Sequence, residues 1–255
     1  MIVARRLADR VALVTGASRG IGEAIARRFG AEGARVVLAA RSRESVERIA
    51  AEMRGAGQEA LAVACDVTDR DSVGQMVAAA AARWERIDIL VNNAGLGGST
   101  PLSDSDDARW DAILAVNLTA TFRVTRAVAP LLRDGGRIVN LSSVLGRFGV
   151  AGFAAYCASK TGVIGLTRAL ALELGPRQIT VNAICPGWVE TEMSREGFRR
   201  FGSESEGRAA AARMAPLNRV LDPDEIAGLA AYLASDDARS ITGQAIVADA
   251  GQVMP

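Results

Sequence analysis

The fold is decided by residues 11–32, which read VALVTGASRGIGEAIARRFGAE. Residues 11–15 form a short apolar run, as expected of a strand that is buried on both faces. A glycine-rich turn follows this run and leads into a segment with helical periodicity. In such a unit Gly16 permits the tight turn, Gly20 lets the backbone approach a pyrophosphate, and Gly22 lets the helix pack closely on the strand. The stretch therefore predicts a phosphate cradle, with a purely structural turn as the alternative.

The rest of the chain repeats this alternation of apolar runs and helical segments. Further strands are predicted at residues 35–40, 60–64, 87–91, 137–142, 178–184 and 244–247. Helices are predicted at residues 43–54, 70–83, 107–129 and 155–174, and from residue 222. The pattern favours an α/β fold of the Rossmann kind, a doubly wound parallel sheet with helices on both faces. No linker or internal repeat interrupts it, so residues 1–255 are expected to form a single domain.

The composition argues against several classes of function. The 255 residues include 30 basic and 29 acidic side chains, which leave a net charge of +1. No basic block marks a nucleic-acid or membrane surface, and no segment approaches the roughly 20 apolar residues of a membrane span. Three widely spaced cysteines predict neither a disulfide framework nor a zinc site, which fits a reduced cytoplasm. Because the chain has no histidine, proton transfer near neutral pH must use other side chains.

A tyrosine and the only lysine of the chain lie one turn apart in the helix predicted from residue 155. Tyr156 and Lys160 therefore project from the same helix face. An unperturbed phenol has a pKa of about 10, and a neighbouring ammonium that favours the phenolate would make it a better proton relay. Ser143 ends the strand-like run that begins at Arg137, so its hydroxyl is expected at the carboxyl edge of the sheet, where open α/β sheets bind ligands. The alternative is a half-buried aromatic beside a solvated charge.

Two arginines indicate which dinucleotide would bind. Arg19 lies within the glycine turn, and Arg41 follows the second predicted strand. That strand ends without the acidic residue that would hold a ribose 2′-hydroxyl. Two guanidinium groups with no carboxylate between them favour a 2′-phosphate, and hence NADP over NAD. Both could instead be solvated surface charges.

Polar residues follow the third and fourth predicted strands. Asp66 either accepts a hydrogen bond from an adenine amino group or caps the helix that begins near Asp69. The run Asn92-Asn93-Ala94-Gly95 lets the backbone approach a flat ligand, and its amides can tie neighbouring strands together. Asn117 lies in the middle of a predicted helix, where it either satisfies a local backbone defect or holds a water molecule.

The chain is expected to turn sharply after the sixth predicted strand. Pro186 and Gly187 form this turn, which leaves Val189 and Thr191 free to contact a ligand. The segment that follows mixes glycine with arginine, glutamate and serine. We therefore expect residues 188–215 to include a mobile loop and helix that cover the site and determine the choice of substrate.

These pieces together resemble the short-chain dehydrogenase/reductase family over essentially the whole chain. The family signature appears in order as Thr15-Gly16-x-x-x-Gly20-x-Gly22, Asp66-Val67, Asn92-Asn93-Ala94-Gly95, Asn117, Ser143, Tyr156-x-x-x-Lys160, and Pro186-Gly187 with Thr191. Within the family the chain is most similar to bacterial 3-oxoacyl-acyl-carrier-protein reductases and polyketide ketoreductases. The resemblance implies seven strands and usually a homotetramer. One departure is Ala250-Gly251, since the family often ends its last strand in two glycines.

The resemblance also implies a mechanism without a metal. Tyr156 would exchange a proton with the substrate oxygen, which Ser143 would polarise. Lys160 would hold the nicotinamide ribose and lower the tyrosine pKa, and Asn117 would anchor a water that links the lysine to solvent. The residues that the family pattern assigns to cofactor binding are Gly16, Ser18, Arg19, Gly20, Ile21, Gly22, Arg41, Asp66, Val67, Asn93, Ala94, Gly95, Tyr156, Lys160, Pro186, Gly187, Val189 and Thr191.

The leading hypothesis is an NADPH-dependent reductase of the β-keto group of an acyl thioester. An acyl carrier protein could carry this substrate, with Arg195, Arg199 and Arg200 as candidate basic contacts at the rim. An alternative within the same chemistry is an NAD(P)-dependent dehydrogenase of a sugar, a polyol or another secondary alcohol. A hypothesis from another class is a cofactor-sensing protein without turnover, which the retained Tyr156 and Lys160 argue against.

Overall fold

The structure is a computed structural model that describes residues 5–104 and 106–254, so the other positions of the predicted domain 1–255 lie outside the described residues. Its strands are β1 (Val11–Thr15), β2 (Arg35–Ala40), β3 (Ala60–Ala64), β4 (Ile87–Asn92), β5 (Leu132–Leu141), β6 (Thr180–Pro186) and β7 (Ala245–Ala248). Its α-helices are α1 (Gly20–Ala31), α2 (Arg43–Gly55), α3 (Arg70–Trp84), α4 (Asp107–Leu114), α5 (Ala120–Val128), α6 (Ala154–Leu174), α7 (Glu192–Phe198), α8 (Glu204–Arg213) and α9 (Pro223–Ala234).

The seven strands form one sheet in the order β3-β2-β1-β4-β5-β6-β7, and every neighbouring pair is parallel. Strand β1 pairs with β2 on one side and with β4 on the other, so the strand order reverses between β1 and β4. In open α/β sheets ligands bind at the carboxyl ends of the strands where this reversal occurs. The predicted doubly wound fold is confirmed, and its binding crevice lies beyond Thr15 and Asn92.

Apolar side chains on both faces of the sheet explain why this topology is stable. The strands β1 and β4 are buried along their whole length, as expected of parallel strands that helices cover on both sides. One core cluster packs α1, α2 and α9 against the sheet, and a second packs α3, α5 and α6 against its other face. The helices therefore hold the carboxyl ends of the strands in fixed positions, where the candidate site lies.

Two predicted segments differ in detail from the observed structure. The helix predicted at 107–129 is interrupted by a turn of π-helix at Ala115–Thr119, which inserts one residue into the helical repeat. The predicted loop and helix within 188–215 are instead the two helices α7 and α8. Each has a side-chain cap at its start, Thr191 for α7 and Ser203 for α8. The fully buried Phe198 anchors this pair of helices, and its ring centroid lies 5.2 Å from that of Trp188.

Candidate active site

Helix α6 carries the predicted tyrosine and lysine on the face directed at the sheet. The Lys160 side chain is buried, and its Nζ lies 5.6 Å from the centre of the Tyr156 ring. The same Nζ donates a hydrogen bond of 2.8 Å to the carbonyl of Leu141, the last residue of β5. The ammonium is therefore held at the carboxyl edge of the sheet, beside the phenol that it was predicted to assist.

Ser143 is buried two residues beyond the end of β5. Its Oγ accepts a hydrogen bond of 3.1 Å from the Leu145 N–H and so caps a short 3₁₀ turn at Val144–Gly146. The same hydroxyl also interacts with the Tyr156 side chain, an interaction that lowers the pKa of the phenol. The structure thus brings Ser143, Tyr156 and Lys160 together, as the sequence predicted.

Burial dominates the ionisation of both groups. It raises the pKa of Tyr156 to about 12, and the hydrogen bond with Ser143 offsets only part of this rise. Burial lowers the pKa of Lys160 from its ordinary 10.5 to about 8. The tyrosine pKa is thus shifted in the direction opposite to the one that the resemblance implied for the pair. Near neutral pH the phenol is protonated, and most of the lysine is still cationic.

Asn117 lies in the π-helical turn and connects three elements. Its Oδ1 accepts a hydrogen bond of 2.7 Å from the Leu96 N–H, and its Nδ2 donates to the Leu96 carbonyl and to Ser159 Oγ, both at 3.0 Å. Both amide hydrogens are therefore used within the protein. The side chain ties the π-helical turn to the loop after β4 and to α6, which supports the structural alternative. A water held there would need other donors than the Asn117 amide.

The glycine turn after β1 is packed so closely that side chains are excluded. A Cβ on Gly22 would lie 2.3 Å from both Asn93 Nδ2 and the Gly16 carbonyl, and Gly16 itself has a φ of +65°. Asn93 Nδ2 donates hydrogen bonds to the carbonyls of Thr15 and Gly16, at 3.0 and 3.1 Å. The turn is thereby fixed against the segment that follows β4.

The N-terminus of α1 fits the phosphates of a dinucleotide. Arg19 occupies the N-cap position without a side-chain hydrogen bond to the helix. The N–H groups of the first turn, which include those of Ile21 and Gly22, therefore lack the usual capping partner, and the helix dipole favours an anion there. Ser18 and Gly20 belong to the same turn. The backbone there could thus hold a pyrophosphate, and binding by these residues stays a prediction.

At the far side of the crevice, a Cβ on Gly95 would lie 3.6 Å from Asn117 Oδ1 and 3.8 Å from Lys160 Nζ. The backbone around Ala94 and Gly95 therefore adjoins the group formed by Asn117 and Lys160. Because Gly95 has no side chain, a flat ring could approach the backbone at this position. The crevice extends from the phosphate cradle to the buried lysine.

Asp66 and Arg41 follow neighbouring strands. The Asp66 Oδ1 accepts hydrogen bonds from the Thr68 N–H at 2.9 Å and the Thr68 hydroxyl at 2.7 Å, and these lower the pKa of its carboxyl group, with a smaller contribution from Arg41. The cap of α3 is Asp69, which accepts from the Ser72 N–H. The alternative that Asp66 caps this helix is therefore wrong, whereas its contact with an adenine, and that of Val67, stays a prediction.

The segment after β6 corrects one expectation about ligand contacts. Val189 was expected to be free to contact a ligand, but its side chain is buried in the core cluster beneath the sheet. Its neighbours Trp188 and Glu190 form the backbone hydrogen bonds of a bridge to Leu221. Only the backbone of Val189 could therefore face a ligand. The closely packed Gly187, where a Cβ would lie 2.7 Å from Asp249 Cβ, explains the sharp turn after Pro186.

The start of α7 lies across the crevice. Thr191 Oγ1 caps the helix by accepting from the Ser194 N–H, and its Cγ2 lies 3.2 Å from the position of a Cβ on Gly20. Met193 lies at a similar distance, 3.1 Å, from the position of a Cβ on Gly97, in the loop after β4. Residues 191–193 therefore span from the glycine turn to the other side of the crevice, as a cover.

The fold also places a carboxylate beside Arg19. Glu192, the first residue of α7, forms an ion pair with the Arg19 guanidinium across 173 residues of sequence. The sequence-based prediction considered only the absence of a carboxylate between the two arginines, and did not foresee this partner of Arg19. No sequence signal could have found this pair, because only the path of the chain over the crevice brings its members together.

Two serines of the site were also missed. Ser159 Oγ accepts from Asn117 and donates to the Tyr156 carbonyl, and Ser142 Oγ donates a hydrogen bond of 2.9 Å to the Lys160 carbonyl. Both fix the first two turns of α6 from inside. Ser159 precedes Lys160 and Ser142 precedes Ser143 in sequence, and this proximity could have indicated that both serines belong to the site.

Comparisons with known proteins agree with this geometry. A family model described as enoyl-(acyl carrier protein) reductase matches residues 16–252. A putative ketoacyl reductase of the monensin polyketide synthase from Streptomyces virginiae is 46% identical over 247 residues, which cover 93% of this chain and 95% of that protein. A 3-oxoacyl-[acyl-carrier-protein] reductase from Thermotoga maritima is 39% identical over 251 residues, 98% of this chain and 100% of the relative.

A solved structure extends the similarity to three dimensions. A variant of actinorhodin polyketide ketoreductase, crystallised with NADPH, superposes with a TM-score of 0.91 and is 41% identical. The match covers 96% of this chain and 97% of that one. The chain is thus similar to ketoreductases along nearly its whole length, including every element of the candidate site.

Proposed function

Because the chain belongs to the short-chain dehydrogenase/reductase family, we propose that it is an NADPH-dependent reductase of the β-keto group of an acyl thioester. The observation that carries this proposal is the convergence of Ser143, Tyr156 and Lys160 at the carboxyl edge of the sheet, beside the open backbone of Gly95. A hydroxyl, a phenol and a buried ammonium there can bind a carbonyl oxygen and protonate it.

The reacting groups have separate tasks. The dinucleotide, when bound, supplies a hydride to the carbonyl carbon. Tyr156 donates its phenolic proton to the substrate oxygen, and Ser143 donates a hydrogen bond to the same oxygen. Lys160 would stabilise the phenolate that remains and would hold the ribose hydroxyls of a bound nicotinamide dinucleotide. Placing these groups in contact with a bound carbonyl can supply several kcal/mol, and proton transfer of this kind contributes about 10²–10⁴-fold.

The ionisation of the site suits the proton transfer that reduction needs. With its pKa raised to about 12, Tyr156 carries the proton that reduction consumes. Lys160, with a pKa of about 8, supplies a positive charge near neutral pH at the moment when the phenolate forms. Oxidation of an alcohol would instead require the phenolate at the start, which burial disfavours. Alkaline conditions should therefore favour the oxidative reaction.

The surroundings of the site support an acyl chain over a sugar. Exposed apolar side chains, Met193 and Val150, lie on the cover and on the loop before α6. At the protein surface a groove is lined by Phe148, Met214, Gln252, Val253 and Met254, with only one polar side chain among the five. An apolar surface binds methylene groups but gives the hydroxyls of a polyol few partners. Two relatives to which the chain is similar are named putative ketoacyl reductases, which agrees with a ketoacyl substrate.

The preference for NADPH rests on Arg19 and Arg41, which lie at the ends of β1 and β2 where the adenosine ribose would bind. The ketoreductase of similar structure was crystallised with NADPH. Recognition of a carrier protein by the three arginines at the rim stays a prediction. Arg195 and Arg199 both pair with Glu204, and the Arg200 guanidinium lies 4.5 Å from the centre of the Phe153 ring, just before α6.

We also propose a homotetramer in the cytoplasm. Trp110, Phe122 and Leu172 are exposed on α4, α5 and α6, and an interface between copies would bury them. Cys65, Cys157 and Cys185 are free thiols, which is consistent with a reducing compartment. Within residues 5–104 and 106–254, no helix is long and apolar enough to cross a membrane. Light scattering of the purified protein would measure the assembly directly.

The decisive experiment follows the absorbance of NADPH and of NADH with acetoacetyl and longer β-ketoacyl thioesters. We expect rapid consumption of NADPH, slower consumption of NADH, and a loss of about 10²–10⁴-fold in the Tyr156→Phe variant with little change in cofactor affinity. A panel of polyols and cyclic alcohols with NADP and NAD forms the second arm. Turnover only in this arm would replace the acyl reductase proposal by the dehydrogenase alternative, and undiminished turnover in Tyr156→Phe would remove the catalytic assignment.

A further inference from the structure

Arg19 is already engaged before any cofactor binds. Its backbone is extended at the N-cap of α1, and its side chain is largely exposed, at 70%. The guanidinium does not cap the helix but forms an ion pair with Glu192, whose side chain is 63% exposed. A guanidinium presents its donors in a planar fork that suits one carboxylate or one phosphate. A phosphate and a carboxylate on the same fork would repel each other.

Arg41 is in a different situation. Its side chain is exposed, and in the part of the chain that the structure describes no carboxylate lies within ion-pair distance of it. Its charge lowers the pKa of the Asp66 carboxyl group, but the Asp66 Oδ1 is held by Thr68. A 2′-phosphate could therefore reach Arg41 without breaking a contact, whereas it could reach Arg19 only by displacing Glu192.

Glu192 is held in place over the glycine turn. It is the first residue of α7, whose start is fixed by the Thr191 cap and by the close approach of Thr191 to Gly20. On its other side Met193 packs against the backbone at Gly97. The fold of the cover thus places the Glu192 carboxylate beside Arg19, where it would meet a 2′-phosphate that approaches the same guanidinium.

We propose that Glu192 sets the degree of preference for NADPH over NADH by competing with the 2′-phosphate for Arg19. The inference rests on the proposed use of NADPH. Displacement of Glu192 costs the free energy of its ion pair, and only a cofactor with a 2′-phosphate requires it. NADH, which carries a hydroxyl at this position, leaves the pair intact. Glu192 therefore weakens the binding of NADPH selectively.

The test measures dissociation constants for NADPH and NADH without substrate, from the fluorescence of the reduced nicotinamide, in wild type and Glu192→Gln. Since exposed ion pairs are weak, we expect NADPH to bind about twofold to fivefold more tightly in the variant, with NADH unchanged. The gain should shrink as salt concentration rises, because salt screens exposed charges.

Glu190→Gln is the matched control. Glu190 lies two residues away on the same segment and pairs with Arg208, not with Arg19. This substitution removes a negative charge close to the cover without touching Arg19. It therefore tests whether the loss of any nearby carboxylate strengthens binding of the negatively charged cofactor. We expect the ratio of the NADPH and NADH dissociation constants to stay the same. A second control is Arg19→Gln combined with Glu192→Gln, in which the effect of the Glu192 substitution should vanish.

The outcomes separate the inference from the function on which it rests. If Arg19→Gln leaves NADPH binding unchanged, the role of this arginine in cofactor choice fails. If Arg19→Gln weakens NADPH binding but Glu192→Gln leaves the ratio unaltered, or shifts both cofactors equally, only the competition is overturned. Tighter NADPH binding that persists in the double variant also overturns it, because the effect would then not pass through Arg19.

Discussion

The burial of Lys160, the only lysine of the chain, leads us to predict how the free energy of unfolding changes with pH, and this prediction does not depend on the substrate. Lys160 is 5% exposed, and its pKa is lowered from 10.5 to about 8. A shift of this size corresponds to about 3 kcal/mol by which the folded state disfavours the charged lysine. Between about pH 8 and 10.5 the unfolded chain binds a proton at this residue that the folded chain lacks. The contribution of Lys160 to the free energy of unfolding should therefore rise with pH across this window.

The test compares Lys160→Met with wild type in urea unfolding at a series of pH values. The variant loses the hydrogen bond to the Leu141 carbonyl, a cost that is independent of pH. Titration of Tyr156 and of the exposed groups is common to both proteins and cancels in the difference. Between pH 7 and pH 10 we expect wild type to gain about 2 to 3 kcal/mol relative to the variant.

Arg168→Met serves as the control, since Arg168 is an exposed cation on the same helix. Its stability should differ from that of wild type by an amount that does not change over the same range. If the Lys160→Met and wild-type profiles ran parallel from pH 7 to pH 10, burial would not depress the lysine pKa. The lysine would then stay cationic well above pH 8, and the pH dependence expected of the site would fail with it.

Three further predictions concern the cradle, the C-terminal turn and the pH profile. Gly22→Ala should lower the free energy of unfolding by about 1 to 3 kcal/mol and weaken cofactor binding, because its Cβ would lie 2.3 Å from Asn93 Nδ2. The control Gly74→Ala should raise the free energy of unfolding by about 0.5 to 1 kcal/mol, because nothing lies within 4 Å of its Cβ. Ala250→Gly should gain about 0.5 to 1 kcal/mol in the same assay, because Ala250 has a φ of +58°. In steady-state kinetics, kcat/KM for NADPH should fall above about pH 8 as Lys160 loses its proton, and a flat profile to pH 9 would contradict this.

Much of the fold was predictable because its signals are local. The order of strand, glycine turn and helix at residues 11–32 predicted β1 and α1, and the alternation of apolar runs predicted the parallel sheet. The glycine turn is legible in sequence because only glycine tolerates the approach that Gly22 makes. One helix was predicted within 188–215 where the structure has two, since this polar, glycine-containing sequence carries no strong periodicity and the buried Phe198 packs in a small cluster with Ala211 and Val220.

Sequence alone was enough to predict which residues lie together at the candidate site. Residue type and spacing put Tyr156 and Lys160 on one helix face and Ser143 at a strand end, and these are properties of single elements. The charge state of these groups and the identity of their hydrogen-bond and ion-pair partners depend on the folded arrangement of distant segments. Desolvation, which raises one pKa and lowers the other, depends on what surrounds a residue in space. The pairing of Arg19 with Glu192 likewise exists only because the folded chain brings two distant segments to the same edge of the sheet.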